Sequence, residues 1–181
     1  MTDLTFATAQ ADTRRAYLCG APGVLTSGLV WLAAAGTAAL VSSDRAVLVL
    51  LLGGALIFPV SLVVTKLLGA SGKHAAGNAL GGLAGESTVW LITGCIIAYG
   101  AHLLRGSWFF PVMLLVIGSR YFAFQTVYGM RTYWVLGALL WGAGMAIAMA
   151  NGPAVAGALA GAVIELVVAG VLFVQARRRS A

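Results

Sequence analysis

Between Arg45 and Lys66 the chain runs from Ala46 to Thr65 without one charged side chain. At 1.5 Å per residue such a stretch makes a helix of about 30 Å, the thickness of the hydrocarbon core of a bilayer. The same length recurs along the chain. Taking polar breaks and turn residues as ends gives about six spans: Val24–Val41, Ala46–Leu68, Asn78–Ala101, Trp108–Tyr128, Trp134–Ala150 and Ala154–Val174. The apolar runs are continuous rather than alternating, which argues against a membrane barrel. The expected fold is all-α, a polytopic bundle of about six transmembrane helices with both termini cytoplasmic.

Composition agrees. Hydrophobic residues make up 61% and charged residues only 9%, where soluble domains carry about a quarter. With a mean hydropathy of +0.97 the chain cannot clothe itself in polar groups, so its partner is the lipid bilayer. The net charge of +6 suggests a nucleic-acid partner until its placement is read. Arg14, Arg15, Lys66, Lys73, Arg131 and Arg177–Arg179 fall on one side of the spans, and only Arg45 and Arg105 on the other. That is the positive-inside distribution of a membrane protein, not a nucleic-acid patch. Aromatic placement supports it, with Tyr99 and Trp108 at the outer interface and Tyr128, Tyr133 and Trp134 at the inner one. The domains are then a cytoplasmic N-terminal arm (1–22), one six-helix transmembrane domain (23–175) and a basic cytoplasmic tail (176–181).

Thr13-Arg14-Arg15-Ala16-Tyr17-Leu18 resembles a twin-arginine export signal, but five more spans follow the apolar segment behind it, so it reads as a positive anchor. Leu4, Phe6 and Tyr17 would let the arm lie on the membrane surface. Gly69-Ala70-Ser71-Gly72-Lys73-His74 lacks the spacing and the preceding strand of a phosphate-binding loop. Cys19 and Cys95 form no disulfide or ligand pattern and read as small packing residues. His74 and His102 fall on opposite sides of the membrane and cannot share a metal. With no nucleophile, metal or cofactor motif to assemble, enzymatic activity is not expected, nor is a cofactor.

Glycine patterning adds architecture. Gly77, Gly81 and Gly85 recur at intervals of four entering span three, and Gly157 and Gly161 do so in span six. Small residues at that spacing let helices approach closely, so all five are expected at helix-packing seams. Pro59 removes a backbone hydrogen bond within span two and is expected to kink it beside Ser61 and Thr65.

Glu86, Arg120 and Glu165 are ionisable residues inside spans. Each costs about 2.5–3.5 kcal/mol at the membrane centre unless it finds a partner or water. Helical rise puts Arg120 about 18 Å and Glu165 about 17 Å from the outer face, and Glu86 about 18 Å from it in a 30 Å core. One level for all three suggests a buried cluster in which Arg120 bridges two carboxylates. Such a cluster either handles a cation or proton, or is an ion-pair network that fixes how spans three, four and six pack. Glu86 and Glu165 also share a Leu/Gly/Glu spacing (Leu80, Gly82, Glu86; Leu159, Gly161, Glu165). An inverted repeat of two three-span halves would produce such a match.

Several motifs carry a family resemblance. They are Ala21-Pro22-Gly23-Val24-Leu25 with Ser27-Gly28-Leu29-Val30-Trp31, then Ile57-Phe58-Pro59-Val60-Ser61, Ser71-Gly72-Lys73-His74 and Asn78. Trp108-Phe109-Phe110-Pro111, Gly118-Ser119-Arg120-Tyr121 and Tyr128-Gly129-Met130-Arg131 complete the set. The chain resembles a family of small bacterial multi-span membrane proteins known only as a domain of unknown function. The resemblance implies a bacterial inner-membrane protein and supplies neither substrate nor site residues. Two functional classes follow from the residues. One is a small permease or ion-coupled carrier for a small solute, proton or cation, which at this size would work as a homodimer. The other is a non-transporting scaffold or assembly subunit whose buried charges are structural.

Overall fold

The structure is a computed structural model that describes residues 5–180; Leu4 lies outside them. The described chain forms α1 (Phe6–Ala16), a short 3-10 turn (Leu18–Gly20), α2 (Ala21–Leu40), α3 (Ser43–Leu67), α4 (Leu80–Leu104), α5 (Phe109–Tyr128), α6 (Arg131–Met149) and α7 (Ala154–Ser180). Six segments are long and apolar enough to cross a membrane: Leu18–Leu40, Ser43–Leu67, Leu80–Leu104, Phe109–Tyr128, Arg131–Met149 and Ala154–Arg179.

Local chemistry sets the ends. Thr5 caps α1, its Oγ1 accepting from the Thr8 N–H at 3.4 Å, and Arg14 and Arg15 occupy the last turn, where the helix dipole favours cations. The chain then turns through Leu18 (φ 50°), Cys19 (φ 56°) and Gly20 (φ 76°) and enters α2 with Pro22 in the first turn, where its missing N–H costs nothing. Ser42 accepts from the Arg45 N–H at 3.3 Å to start α3. Gly129, at φ 62°, terminates α5, as a left-handed residue after a helix commonly does.

The spans pack as an arc. α2 lies between α3 and α7, α7 between α2 and α6, and α5 between α6 and α4, with α5 also touching α7. At the two ends α3 and α4 each have one principal neighbour. Leu48, Leu52, Leu56 and Val63 on α3, and Val89, Ile92, Ile96 and Leu103 on α4, are exposed, as a lipid-facing surface requires. Exchanging the two three-span halves maps the α2–α3 seam onto α5–α6 and the α2–α7 seam onto α4–α5, as the expected inverted repeat would, whereas the smaller α6–α7 seam has no counterpart between α3 and α4.

The long connection from α3 to α4 is strapped beneath the bundle by α1. The Gly72 N–H donates to Ala16 O at 2.9 Å, and Asp12 Oδ2 accepts from the Ala75 N–H and the Asn78 side chain at 2.8 and 2.9 Å. Asn78 Nδ2 also reaches Ala9 O at 3.0 Å, and His74 pairs with the Tyr17 hydroxyl at 3.0 Å. Asn78, expected to open span three, therefore sits below it, its Oδ1 accepting from the Leu80 N–H. Across α1, Gln10 Nε2 donates to Thr126 O at 2.7 Å and Arg14 donates to Tyr128 O. The arm is thus a docked helix rather than a strip lying on lipid, although Phe6 stays exposed. At the opposite end His102 joins Asp44 at 3.1 Å. The first described helix and the end of α7 meet on one side, as an even number of crossings demands.

Glycines build the central seams. A Cβ on Gly118 would sit 2.9 Å from Gly137 O, and one on Gly137 would sit 2.8 Å from Gly118 O, so α5 and α6 touch backbone to backbone. A Cβ on Gly161 would sit 2.5 Å from the Trp31 ring, and one on Gly157 2.7 Å from the Phe110 side chain. The expectation for span three is corrected. Gly77 is a loop residue at φ 91° with open space around it, and Gly81 faces the His74 ring rather than a helix. Gly85 has nothing within 4 Å of a would-be Cβ. The physical reason is that α4 is peripheral and presents these positions away from α5. Pro59 lies on the exposed side of α3, which runs unbroken through it from Ser43 to Leu67. Tyr128 and Tyr133 are buried rather than interfacial, whereas Trp108, Trp134 and Tyr99 are exposed.

Candidate functional site

The polar centre of the bundle is Glu165. It projects from α7 toward α2 and α5, is 0% exposed, and its Oε1 accepts from the Tyr121 hydroxyl at 2.9 Å. Oε2 has no hydrogen-bond partner among the described residues, and neither does the nearby Trp31 indole Nε1. The Ser27 hydroxyl faces the same carboxyl from α2. Leaving a buried polar atom unpaired costs about 1–3 kcal/mol, so this layer is held together by the packing around it. Trp31 lies over Gly161, one turn before Glu165, and a Cβ on Gly28 would sit 3.0 Å from the Leu166 side chain.

A column of tyrosines descends from this layer. Tyr121 stacks on Tyr133 at 5.9 Å, Tyr133 stacks on Tyr128 at 5.0 Å, and the Tyr133 hydroxyl donates to Cys19 O at 2.8 Å. The buried carboxyl is therefore mechanically joined to the turn between α1 and α2.

Arg120 faces the other way. Its Nε donates to Ser87 Oγ at 3.2 Å and its Nη2 to Thr88 Oγ1 at 3.1 Å, and the guanidinium lies 5.0 Å from the Phe124 ring centroid. These contacts staple α5 to α4, and among the described residues no carboxylate lies within 4 Å of Arg120. Glu86 is exposed on α4, about 9 Å along the axis from Leu80, with no hydrogen bond or ion pair among the described residues. The three expected cluster members thus share a layer without converging. Arg120 reaches the residues next to Glu86, and its neighbour Tyr121 reaches Glu165. The bridged triad is corrected because consecutive residues on a helix point about 100° apart, so Arg120 and Tyr121 face different helices.

Tyr121, Ser27 and Trp31 entered the sequence reading only within the family motifs and not as site residues. Attention to ionisable groups passed over the hydroxyl beside Arg120, yet the residue after a charged one is the first to look for on the adjoining face. Among the described residues no group of three or more His, Cys, Asp or Glu could hold a metal ion.

Six helices long and apolar enough to cross a membrane mark the chain as a multi-pass α-helical membrane protein. Over residues 6–175 the chain matches the family of unknown function DUF7010, and it belongs to that family. No curated protein and no solved structure matches it.

Proposed function

We propose that the protein is a self-associating, non-transporting membrane subunit of the bacterial inner membrane, with both termini cytoplasmic and its contact along α4. The open face of α4 carries this reading. Gly82, Glu86, Thr93 and Gly100 fall within about 40° of one another on the helical wheel, and all four are exposed. A Cβ added at Gly82 or Gly100 would meet nothing within 4 Å. A carboxyl flanked by small residues is a poor surface to offer lipid and a good one to offer another helix. A two-fold axis along the bilayer normal lays this face on its own copy. It brings the two Glu86 carboxyls to one depth, where they can share a proton.

Cross-linking tests it. Thr93→Cys in a Cys95→Ala background should give a disulfide-linked dimer in membranes. Glu86→Leu or Gly82→Leu should lower dimer yield by roughly 5–30-fold, the equivalent of 1–2 kcal/mol in a polar transmembrane contact. A Thr93→Cys protein that stays monomeric under oxidation would sink the proposal.

The carrier reading keeps one supporting observation, the unpartnered Oε2 of Glu165 in the bundle core. In that reading Glu165 takes up a proton or cation on behalf of a small solute. Proteoliposomes should then show proton flux that Glu165→Gln abolishes, whereas the subunit reading expects no flux from either protein.

A further inference from the structure

We infer that the cavity between α1 and the end of α7 is a site for a phosphate group, carried by an anionic lipid head or free in solution. The cavity holds about 280 Å³ and is lined by the side chains of Arg14, Arg15 and Arg179 together with Leu18, Cys19 and Ala176. That is room for a tetrahedral phosphate and the first atoms of an ester arm.

The charge balance points to an anion. Among the described residues no carboxylate comes within 4 Å of any of these arginines. Asp12 attracts Arg15 at longer range, but its carboxylate is committed to Ala75 and Asn78 in the strap. Partial burial, and then the like charge of Arg179, make Arg14 easier to deprotonate than an ordinary arginine. Both helices end here, and their terminal carbonyls alone would repel an anion. The guanidinium groups reverse that field. They also supply planar pairs of N–H donors that match phosphate oxygens. Arg14 gives one N–H to Tyr128 O and keeps the rest of its five donors.

The floor is preorganised. Leu18 and Cys19 hold left-handed backbone angles, each at a cost of about 1–3 kcal/mol. The Tyr133 hydroxyl holds the Cys19 carbonyl, and Gly20 sits against Tyr133 and Tyr128 with no space for a side chain. The cavity lies at the end of the spans, at headgroup level, where basic pockets between helices take anionic lipid heads. A bound phosphate would tie α1 to α7. This inference is independent of whether α4 self-associates.

The test uses the full chain in neutral detergent. Thermal unfolding and native mass spectrometry would be recorded with phosphatidylglycerol, phosphatidylcholine and inorganic phosphate, each at one ionic strength. Phosphatidylglycerol should be retained and should raise the unfolding midpoint, while phosphatidylcholine does neither. Arg14→Gln and Arg179→Gln should each weaken retention about tenfold, as loss of a charge-assisted contact does. Arg45→Gln, at the opposite end, should leave it unchanged. If inorganic phosphate alone raises the midpoint and displaces the lipid, the site serves free phosphate. If it does neither while phosphatidylglycerol binds, the site serves lipid. Equal retention of both lipids with no response to phosphate, or an equal loss in Arg45→Gln and Arg179→Gln, would overturn the inference. Should Arg14→Gln fail to fold for want of its bond to Tyr128, Arg179→Gln decides.

Discussion

α4 and α7 carry the same spacing of leucine, glycine and glutamate, and the fold treats them oppositely. On α7, Gly161 admits the Trp31 ring, and Glu165 is wholly buried against Tyr121. On α4 the matching Gly82 meets nothing, and Glu86 is exposed. The difference is position in the arc. α7 has helices on several sides, whereas α4 has α5 alone as a principal neighbour. A pattern within one helix says that a close approach is possible, and the number of neighbours decides whether it happens.

Substitutions at matched positions should separate the two helices most sharply. Gly161→Leu would drive a side chain into Trp31, and overpacking of this kind costs about 1–3 kcal/mol or more. Unfolding in detergent micelles should register it, whereas Gly82→Leu, where a Cβ meets nothing within 4 Å, should fall within about 0.5 kcal/mol of the parent. Equal losses at the two positions would mean that α4 is packed in solution in a way that the arc does not show. Next in size is Tyr121→Phe, which removes the hydroxyl that donates to Glu165 Oε1 and should cost about 1–3 kcal/mol. Ser87→Ala removes just one of the two hydroxyls that hold Arg120 and should cost about 1 kcal/mol or less. If Ser87→Ala proves the more damaging, Arg120 rather than Glu165 organises this layer.

The smallest effect is one of pH, outside the spans. Partial burial raises the affinity of the Asp12 carboxyl for a proton. The Asn78 side chain, the Ala75 N–H, His74 and Arg15 outweigh it, so the carboxyl titrates below its usual range. A depressed folded value stabilises the fold above the unfolded value of about 4, and that contribution is lost as pH falls through the folded value. Hydrogen exchange at Ala75 should therefore quicken below about pH 4, and Asp12→Asn should remove that pH dependence. Exchange at Leu136, deep in α6, should not follow the same profile.

The spans were legible because a bilayer imposes length and hydropathy on each helix separately. Their ends moved by a few residues, as at Asn78, where strapping by α1 overrode the apolar pattern, and at Arg177–Arg179, which α7 absorbs. Facing directions were not legible. A helix apolar all round can turn any side to its neighbours, so the depth of Glu86, Arg120 and Glu165 could be reckoned while their convergence could not. The arm was hidden for a different reason. Its partners, Thr126, Tyr128, Ala75 and Asn78, are distant in sequence, and nothing in Phe6–Ala16 names them.

Those distant partners also dictate an order of events during synthesis. Gln10 and Arg14 grip carbonyls at Thr126 and Tyr128, and the cavity beside Arg14 is closed by Arg179. α1 therefore cannot settle until the fourth crossing has been threaded, and its surroundings are complete only when the end of α7 has emerged. A helix made before all six crossings is thus among the last to find its place, and its docking marks an assembled bundle.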